Sequence, residues 1–255
     1  MFQVYSFFLY WLNQVDEHSL QSPFLYDLYT KVIQGVDLSH SDIEEIRGQL
    51  LKNKQVIEIT DLGAGSRINN GTTRSISSIA KHASTPKRFS QFLTRLIDHF
   101  DYKNILELGT SLGLNTLYIS KNADVNVLTF EGDKNIADLA HAHFKKLNRT
   151  NIKSIVGNID KTLEKELSQI EKVDLAYIDA NHRYEPTLRY FDQISTKIHS
   201  QSIIIVDDIH WSKEMVSAWR VLKRKPEVTL SIDLFEAGLL FFDPRLDQED
   251  YILKF

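Results

Sequence analysis

From Asn104 to the C-terminus, short β-branched and aromatic runs alternate with stretches of helical periodicity, and this alternation narrows the fold more than any other feature. The runs fall at Asn104–Leu108, Val125–Glu131, Ile152–Val156, Val173–Asp179, Ser202–Asp207, Val228–Asp233 and Gly238–Phe242. The first five are separated by helical segments, which predicts a parallel sheet with right-handed crossovers and helices on both faces. The last two are joined only by Leu234-Phe235-Glu236-Ala237, too short for a helical crossover, so they are expected to pair antiparallel. The expected fold class is α/β, a doubly wound seven-stranded sheet ending in an antiparallel hairpin.

The chain changes character near Tyr102. Residues 1–101 read as helices broken by one glycine loop, an expected helical cap covering a substrate, and residues 102–255 as the sheet domain. Ser41-Asp42-Ile43-Glu44 matches a capping box opening a helix through Leu51, and Thr85-Pro86 offers an N-cap followed by proline at the first helical position. The segment Met1–Leu12 is strongly apolar but lacks a basic leader and a small-residue cleavage site, and it is too short to span a bilayer. It reads as an amphipathic docking helix, with packing preferred to a dimer contact.

Composition removes several function classes. A net charge of −4, from 30 basic and 34 acidic residues, gives no global pull toward nucleic acid or anionic membrane. The absence of cysteine excludes disulfides, thiolate catalysis and Cys-ligated zinc, in keeping with a soluble cytoplasmic protein.

Two glycine turns compete for a nucleotide-type ligand. Asp61-Leu62-Gly63-Ala64-Gly65-Ser66 follows the extended run Val56–Thr60 and is the better match to an acidic-x-Gly-x-Gly pattern. In a dinucleotide-type site, however, the turn follows the first strand of a βαβ unit, and roughly 20 residues later an acid ends the second strand. Beyond Gly63 that distance reaches Lys81-His82-Ala83, inside a helical pattern. From Gly109 the chain instead runs through a helix at Leu114–Lys121 into Val125–Glu131, with the acid in place. The expected cofactor cradle is thus the Rossmann-like turn Ile105-Leu106-Glu107-Leu108-Gly109-Thr110-Ser111-Leu112-Gly113, completed by Glu131 and Gly132. Its glycines permit close backbone approach, the helix N-terminus offers N–H donors, and Glu131 can accept from two ribose hydroxyls. The alternatives are an ordinary strand-helix turn with a solvated Glu131, and NAD binding, whose Gly-x-Gly-x-x-Gly spacing is absent.

Asp179 closes the fourth run and Asp207-Asp208 the fifth. Ligands of open α/β sheets bind outside the carboxyl ends of the strands, and carboxylates on neighbouring strands can converge. Three together repel unless a cation, proton or donor compensates them, and an all-oxygen set suits Mg²⁺ or Ca²⁺ over zinc or copper. The alternatives are that Asp179 and Asp208 cap the following helices, or that one of them contacts the cofactor's amino group. His182, three residues after Asp179, and His210, three after Asp207, are candidate bases, His182 first.

On these residues, the region from Asn104 onward resembles the class I S-adenosylmethionine-dependent methyltransferases, in particular the metal-dependent O-methyltransferases of the catechol and caffeoyl-coenzyme A type. That family has an acid, two variable residues and a lysine after strand four, then an Asp-Asn pair after strand five; here Asp179 with His182 and Asp207 with Asp208 stand in those places. The resemblance implies Asp179, Asp207 and Asp208 as metal ligands and His182 at the base position. It matches Glu107, Gly109, Ser111 and Glu131 to cofactor contacts and Asn158 to the adenine. With Ser22-Pro23-Phe24-Leu25-Tyr26-Asp27, Asp61–Ser66 and Asp207-Asp208-Ile209-His210-Trp211-Ser212, the whole chain also resembles a bacterial methyltransferase group. That likeness suggests that the Gly63–Arg67 loop covers the site, with Arg67, Arg74 or Lys81 holding an anionic substrate. The implied activity is O-methylation of a small-molecule hydroxyl, with a homodimer as the expected assembly. The alternatives are metal-free N-methylation of a small molecule, protein or RNA, and a non-catalytic cofactor-binding interaction protein.

Overall fold

The computed structural model describes residues 2–36, 39–60 and 73–255. In chain order the elements are α1 (Phe2–Asn13), α2 (Pro23–Asp27), a π-helical stretch (Leu28–Ile33), α3 (Ser41–Lys52), β1 (Val56–Glu58), β2 (Thr73–Ser75), α4 (Ile76–His82) and α5 (Lys87–Phe100). Then follow β3 (Asn104–Leu108), α6 (Leu114–Ile119), β4 (Asn126–Glu131), α7 (Lys134–Lys146), β5 (Ile152–Val156), α8 (Ile159–Leu167), β6 (Leu175–Ile178) and α9 (Tyr184–Ser195). The last are β7 (Ile203–Asp207), α10 (Lys213–Leu222), β8 (Leu230–Asp233), β9 (Ala237–Phe241) and β10 (Glu249–Ile252). Two compact units result, one of residues 37–166 and one of residues 1–36 with 167–255.

In the 37–166 unit, β3 pairs parallel with β4 and β4 with β5, with Leu108 opposite Phe130 and Glu131 opposite Val156. Four of the five β3 residues are buried, the near-continuous apolar pattern of a strand covered on both faces. Ile43, Ile46 and Leu50 of α3, Ile76 and Ile79 of α4, Leu117 and Tyr118 of α6, and Ala140 and Phe144 of α7 form one core cluster. Two helix starts shift from expectation: His40, without a side-chain capping bond, precedes α3, and Pro86 rather than Thr85 is the cap of α5. The glycine loop Gly63–Ser66 and Arg67 lie outside the described residues.

In the other unit, β6 and β7 are parallel, β7 and β9 antiparallel, and β8 and β9 form the expected antiparallel hairpin. An eighth strand, absent from the sequence expectation, is β10, which pairs parallel with β8. Val15 bridges Leu253 beyond β10, and the Tyr10 hydroxyl donates to the Leu253 carbonyl at 2.6 Å. Packing of α1 is narrower than expected: only Ser6 and Tyr10 are buried in it.

The turn from β3 into α6 is held from below by a carboxylate. Glu107 is fully buried and accepts from Asn115 Nδ2 (2.8 Å), Thr116 Oγ1 (2.5 Å) and Thr129 Oγ1 (2.6 Å). One side chain therefore ties β3, α6 and β4 together. Burial pushes its carboxyl up to about 7, against the opposing pull of the three donors. Gly113 begins α6 at φ 77°, and a Cβ there would lie 2.6 Å from Cε1 of Phe144 on α7.

Two predictions follow from packing and burial. Gly113→Ala should lower stability by about 2–4 kcal/mol, from left-handed strain plus overpacking. Gly48→Ala, within α3 where a Cβ meets nothing within 4 Å, should raise it by roughly 0.5–1 kcal/mol; urea midpoints measure both. The second concerns Glu107, which binds its proton more tightly in the folded chain than in the unfolded one, so it makes stability fall as pH rises from about 4.5 to about 7 and adds nothing further above. Glu107→Gln should remove that fall, changing the wild-type-minus-variant difference by on the order of 3 kcal/mol between pH 4.5 and 8 in urea titrations.

Candidate functional site

The expected cradle lies wholly within the 37–166 unit. Three consecutive backbone features shape it: Gly109 at φ 106°, Ser111 at φ 48° and Gly113 at φ 77°. A positive φ costs a non-glycine residue energy, so Ser111 must be held there. Glu131, at the end of β4, does so: its Oε2 accepts the Ser111 N–H at 2.8 Å and its Oε1 the Asp133 N–H at 3.0 Å. Gly109 N and Thr110 N both donate to the Phe130 carbonyl, and Thr110 Oγ1 lies 2.6 Å from Thr129 Oγ1, extending the Glu107 network to the turn. The strand-end acid and the glycine turn, about twenty residues apart in the sequence pattern, are thus in direct contact.

Burial raises the Glu131 carboxyl, and the Asp133, Ser111 and Gly132 backbone N–H groups oppose that rise. Three backbone donors take three of the four lone-pair sites on the two carboxylate oxygens, which leaves one for a hydroxyl donor. Asn158, just past β5, accepts the Asp160 N–H on Oδ1 at 2.8 Å, and Gly157 before it donates to the Glu131 carbonyl. Asp133 escaped the sequence reading. It caps α7 through Ile136 N (2.8 Å) and accepts the Thr60 N–H at 2.6 Å, which fixes Thr60 close to the cradle's acid. Its signal was the N-cap pattern after a strand.

The second group of expected residues lies in the unit of residues 1–36 and 167–255. Ile178 of β6 is opposite Val206 of β7, so Asp179 and Asp207 follow on adjacent strands. Asp207 is held well above the ordinary carboxylate range, first by burial and then by Asp179 and Asp208, with Tyr177 opposing. The backbone folds back at this point: Asn181, His182 and Asp208 all have positive φ, at 69°, 41° and 54°. That turn sets the His182 ring between two carboxylates, Nε2 3.5 Å from Asp179 Oδ1 and Nδ1 3.6 Å from Asp208 Oδ2. Burial lowers the His182 pKa, and Asp208 opposes the shift.

Helix capping does not account for the aspartates. Arg183 is the N-cap of α9, and Ser212, accepting from Met215 N at 3.1 Å, is that of α10. His210 is engaged elsewhere: its Nε2 lies 2.8 Å from Asp233 Oδ2, and its ring stacks on Phe235 at 5.1 Å. Asp233 also takes the Phe235 N–H at 2.8 Å. As the end of β8 it was legible only as a strand terminus. Three carboxylates crowded at two strand ends are, in charge and donor type, a set that a hard divalent cation would satisfy. Among the described residues, no three such side chains stand in a metal-coordinating arrangement.

Comparisons with known proteins extend this geometry. Residues 106–209 match a family model described as a methyltransferase domain. A search of curated protein sequences gave no significant match. The fold is similar to that of an O-methyltransferase from Bacillus cereus in complex with SAH, at TM-score 0.59 and 16% identity over 83% of this chain and 94% of that one. It is similar also to the O-methyltransferase TomG from Streptomyces achromogenes, involved in tomaymycin synthesis and in complex with SAM, at TM-score 0.60 and 13% identity, covering 85% and 95%. A third similar structure is the SAH-bound Podospora anserina methyltransferase PaMTH1, at TM-score 0.56 and 14% identity, covering 82% and 98%. Residues 106–209 are thus similar to a methyltransferase domain, and the fold is the Rossmann-like fold of these S-adenosylmethionine- and SAH-bound methyltransferase structures.

Proposed function

We propose that the protein transfers the methyl group of S-adenosylmethionine to a hydroxyl oxygen of a small molecule. The observation that carries this reading is the left-handed turn Gly109–Gly113 locked by its own strand-end acid, Glu131. Gly109, Thr110, Ser111, Gly113, Glu131, Gly132 and Asn158 would hold the cofactor, with Glu107 fixing the turn from within. Bound S-adenosylmethionine supplies an electrophilic methyl on a sulfonium; the chain's own task is to align an acceptor and take its proton. His182 is the group proposed to accept that proton at an imidazole nitrogen, with Asp179 orienting the ring. Asp179, Asp207 and Asp208 would hold Mg²⁺ or Ca²⁺, to polarise an acceptor oxygen, only by moving into a coordinating arrangement that they do not have here, so no step is assigned to the ion. Asp179 could instead receive the cofactor's amino group, and His210, oriented by Asp233, is the second candidate base. Residues 1–101 are proposed to cover the acceptor, in a cytoplasmic enzyme without nucleic-acid or membrane partners. Among the described residues no helix is long and apolar enough to cross a membrane.

A metal-free N-methyl transfer is the second reading. It is favoured by the His182 ring, which already stands between Asp179 and Asp208. Activity that survives chelation would select it, whereas activity restored by Mg²⁺ would select the first. The third reading, a non-catalytic cofactor-binding protein, falls if incubation of cell extract with labelled cofactor yields a methylated small molecule.

Calorimetric titration with S-adenosylmethionine tests the common core of these readings, and no heat at millimolar cofactor would refute it. Glu131→Ala should weaken cofactor binding at least about tenfold, the loss of one charge-assisted pair or more. His182→Ala should leave that affinity within about twofold and reduce turnover by roughly 10²–10⁴. Equal losses of binding in both variants would remove His182 from the chemistry.

A further inference from the structure

The largest unexplained feature is the outer surface of α1. Val4, Tyr5, Phe7, Phe8, Leu9, Trp11 and Leu12 are 41–73% exposed, although all seven are large and apolar. The helix carries no charged residue from Phe2 to Asn13. A helix apolar all round is ordinarily a buried helix. Its inner face is already used: Tyr10 bonds the Leu253 carbonyl, and Phe7 meets Phe235 edge-on at 5.0 Å. The remaining surface has its own order. Val4, Phe8 and Trp11 form one stripe at i, i+4, i+7, and Tyr5, Leu9 and Leu12 form the neighbouring stripe at the same spacing. The Phe8 and Trp11 rings stack at 6.3 Å, so the first stripe presents a continuous aromatic ridge.

We infer that this face of α1 binds the same face of a second copy of the chain, forming a two-fold symmetric dimer. The area agrees. Aromatic side chains bury about 150–250 Å² each when enclosed, so the half-exposed rings and aliphatics of α1 leave roughly 600–700 Å² to cover per chain. Doubled across a two-fold axis, this reaches about 1,200–1,400 Å², the lower part of the range for stable interfaces. The chemistry is self-complementary: stripes at heptad-like spacing allow two such helices to interlock, and an uncharged face meets its own copy without like-charge repulsion. A lipid surface fits less well, because α1 has no Lys or Arg to meet anionic headgroups and the whole chain is at −4. The inference is independent of the methyl-transfer reading.

The test is light scattering on the full chain at tens of micromolar, comparing wild type with the double variant Phe8→Glu, Trp11→Glu, both at exposed positions. Wild type should run at twice the 29.5 kDa chain mass and the variant at that mass, with a dissociation constant raised at least a hundredfold. Unchanged circular dichroism verifies the variant's fold, and Phe8→Ser with Trp11→Ser is the substitute if the charged pair unfolds. A monomeric wild type, or a dimer that survives either folded variant, overturns the inference. So does a wild type that is monomeric in solution but floats with phosphatidylcholine vesicles through α1.

Discussion

Glu107, a carboxylate buried with no cation beside it among the described residues, is the constraint on which the cradle depends. Ionised carboxyls are costly to bury, and this one is retained because Asn115, Thr116 and Thr129 meet its two oxygens. These partners come from α6 and β4, so satisfying Glu107 aligns the strand before the turn, the helix after it and the next strand. Thr129 relays the network to Thr110 in the turn itself. With that frame fixed, Glu131 can hold Ser111 in a left-handed conformation that an isolated loop would avoid. The helix N-terminus at Gly113 then faces the turn with its backbone N–H groups organised in advance of any ligand.

The strands of the sheet were legible because their burial on two faces demands unbroken β-branched and aromatic runs, as in Ile203–Val206. The hairpin was legible from the shortness of its connection. Strand β10 was not: Glu249-Asp250-Tyr251-Ile252 is exposed or half-buried throughout, and a strand that buries little has no reason to show an apolar pattern. Choosing Gly109 over Gly63 needed position along the chain rather than motif quality, and the contact between Ser111 and Glu131 is the physical form of that spacing. The docking expected of α1 is narrow: Ser6 and Tyr10 are its buried residues among those described, and the apolar sequence did not specify how much of the helix is covered. Apolar residues mark surfaces that need covering, and the sequence alone does not say whether the same chain covers them.

Residues whose work is done through hydrogen bonds to distant parts of the chain were the least legible. Asp133 and Asp233 stand at ordinary strand ends, yet one fixes Thr60 and the start of α7 and the other fixes His210 and the Phe235 backbone. Their distant partners, Thr60 and His210, leave no local trace, and only the N-cap pattern at Asp133 marks the sequence. The His182 turn is similar: Asn181, His182 and Asp208 are side-chain types that tolerate a left-handed conformation, yet nothing in Ala180-Asn181-His182-Arg183 requires it.

The two carboxylate groups differ in what compensates them, and that difference separates scaffold from site. Around Glu107 three neutral donors offset part of the burial that pushes its carboxyl up to about 7. Around Asp207 the principal neighbours are Asp179 and Asp208, which raise its pKa further rather than lowering it. Such a cluster destabilises the chain that carries it unless something positive or proton-donating arrives, whether the His182 proton, an acceptor's hydroxyl or a hard cation. Strain of the same kind appears in the backbone, with positive φ at the histidine and at one of its carboxylate partners. A fold that could have placed neutral residues at two strand ends has instead concentrated charge and strain there, and this cost to stability is what supports the role in chemistry proposed for Asp179, Asp207, Asp208 and His182.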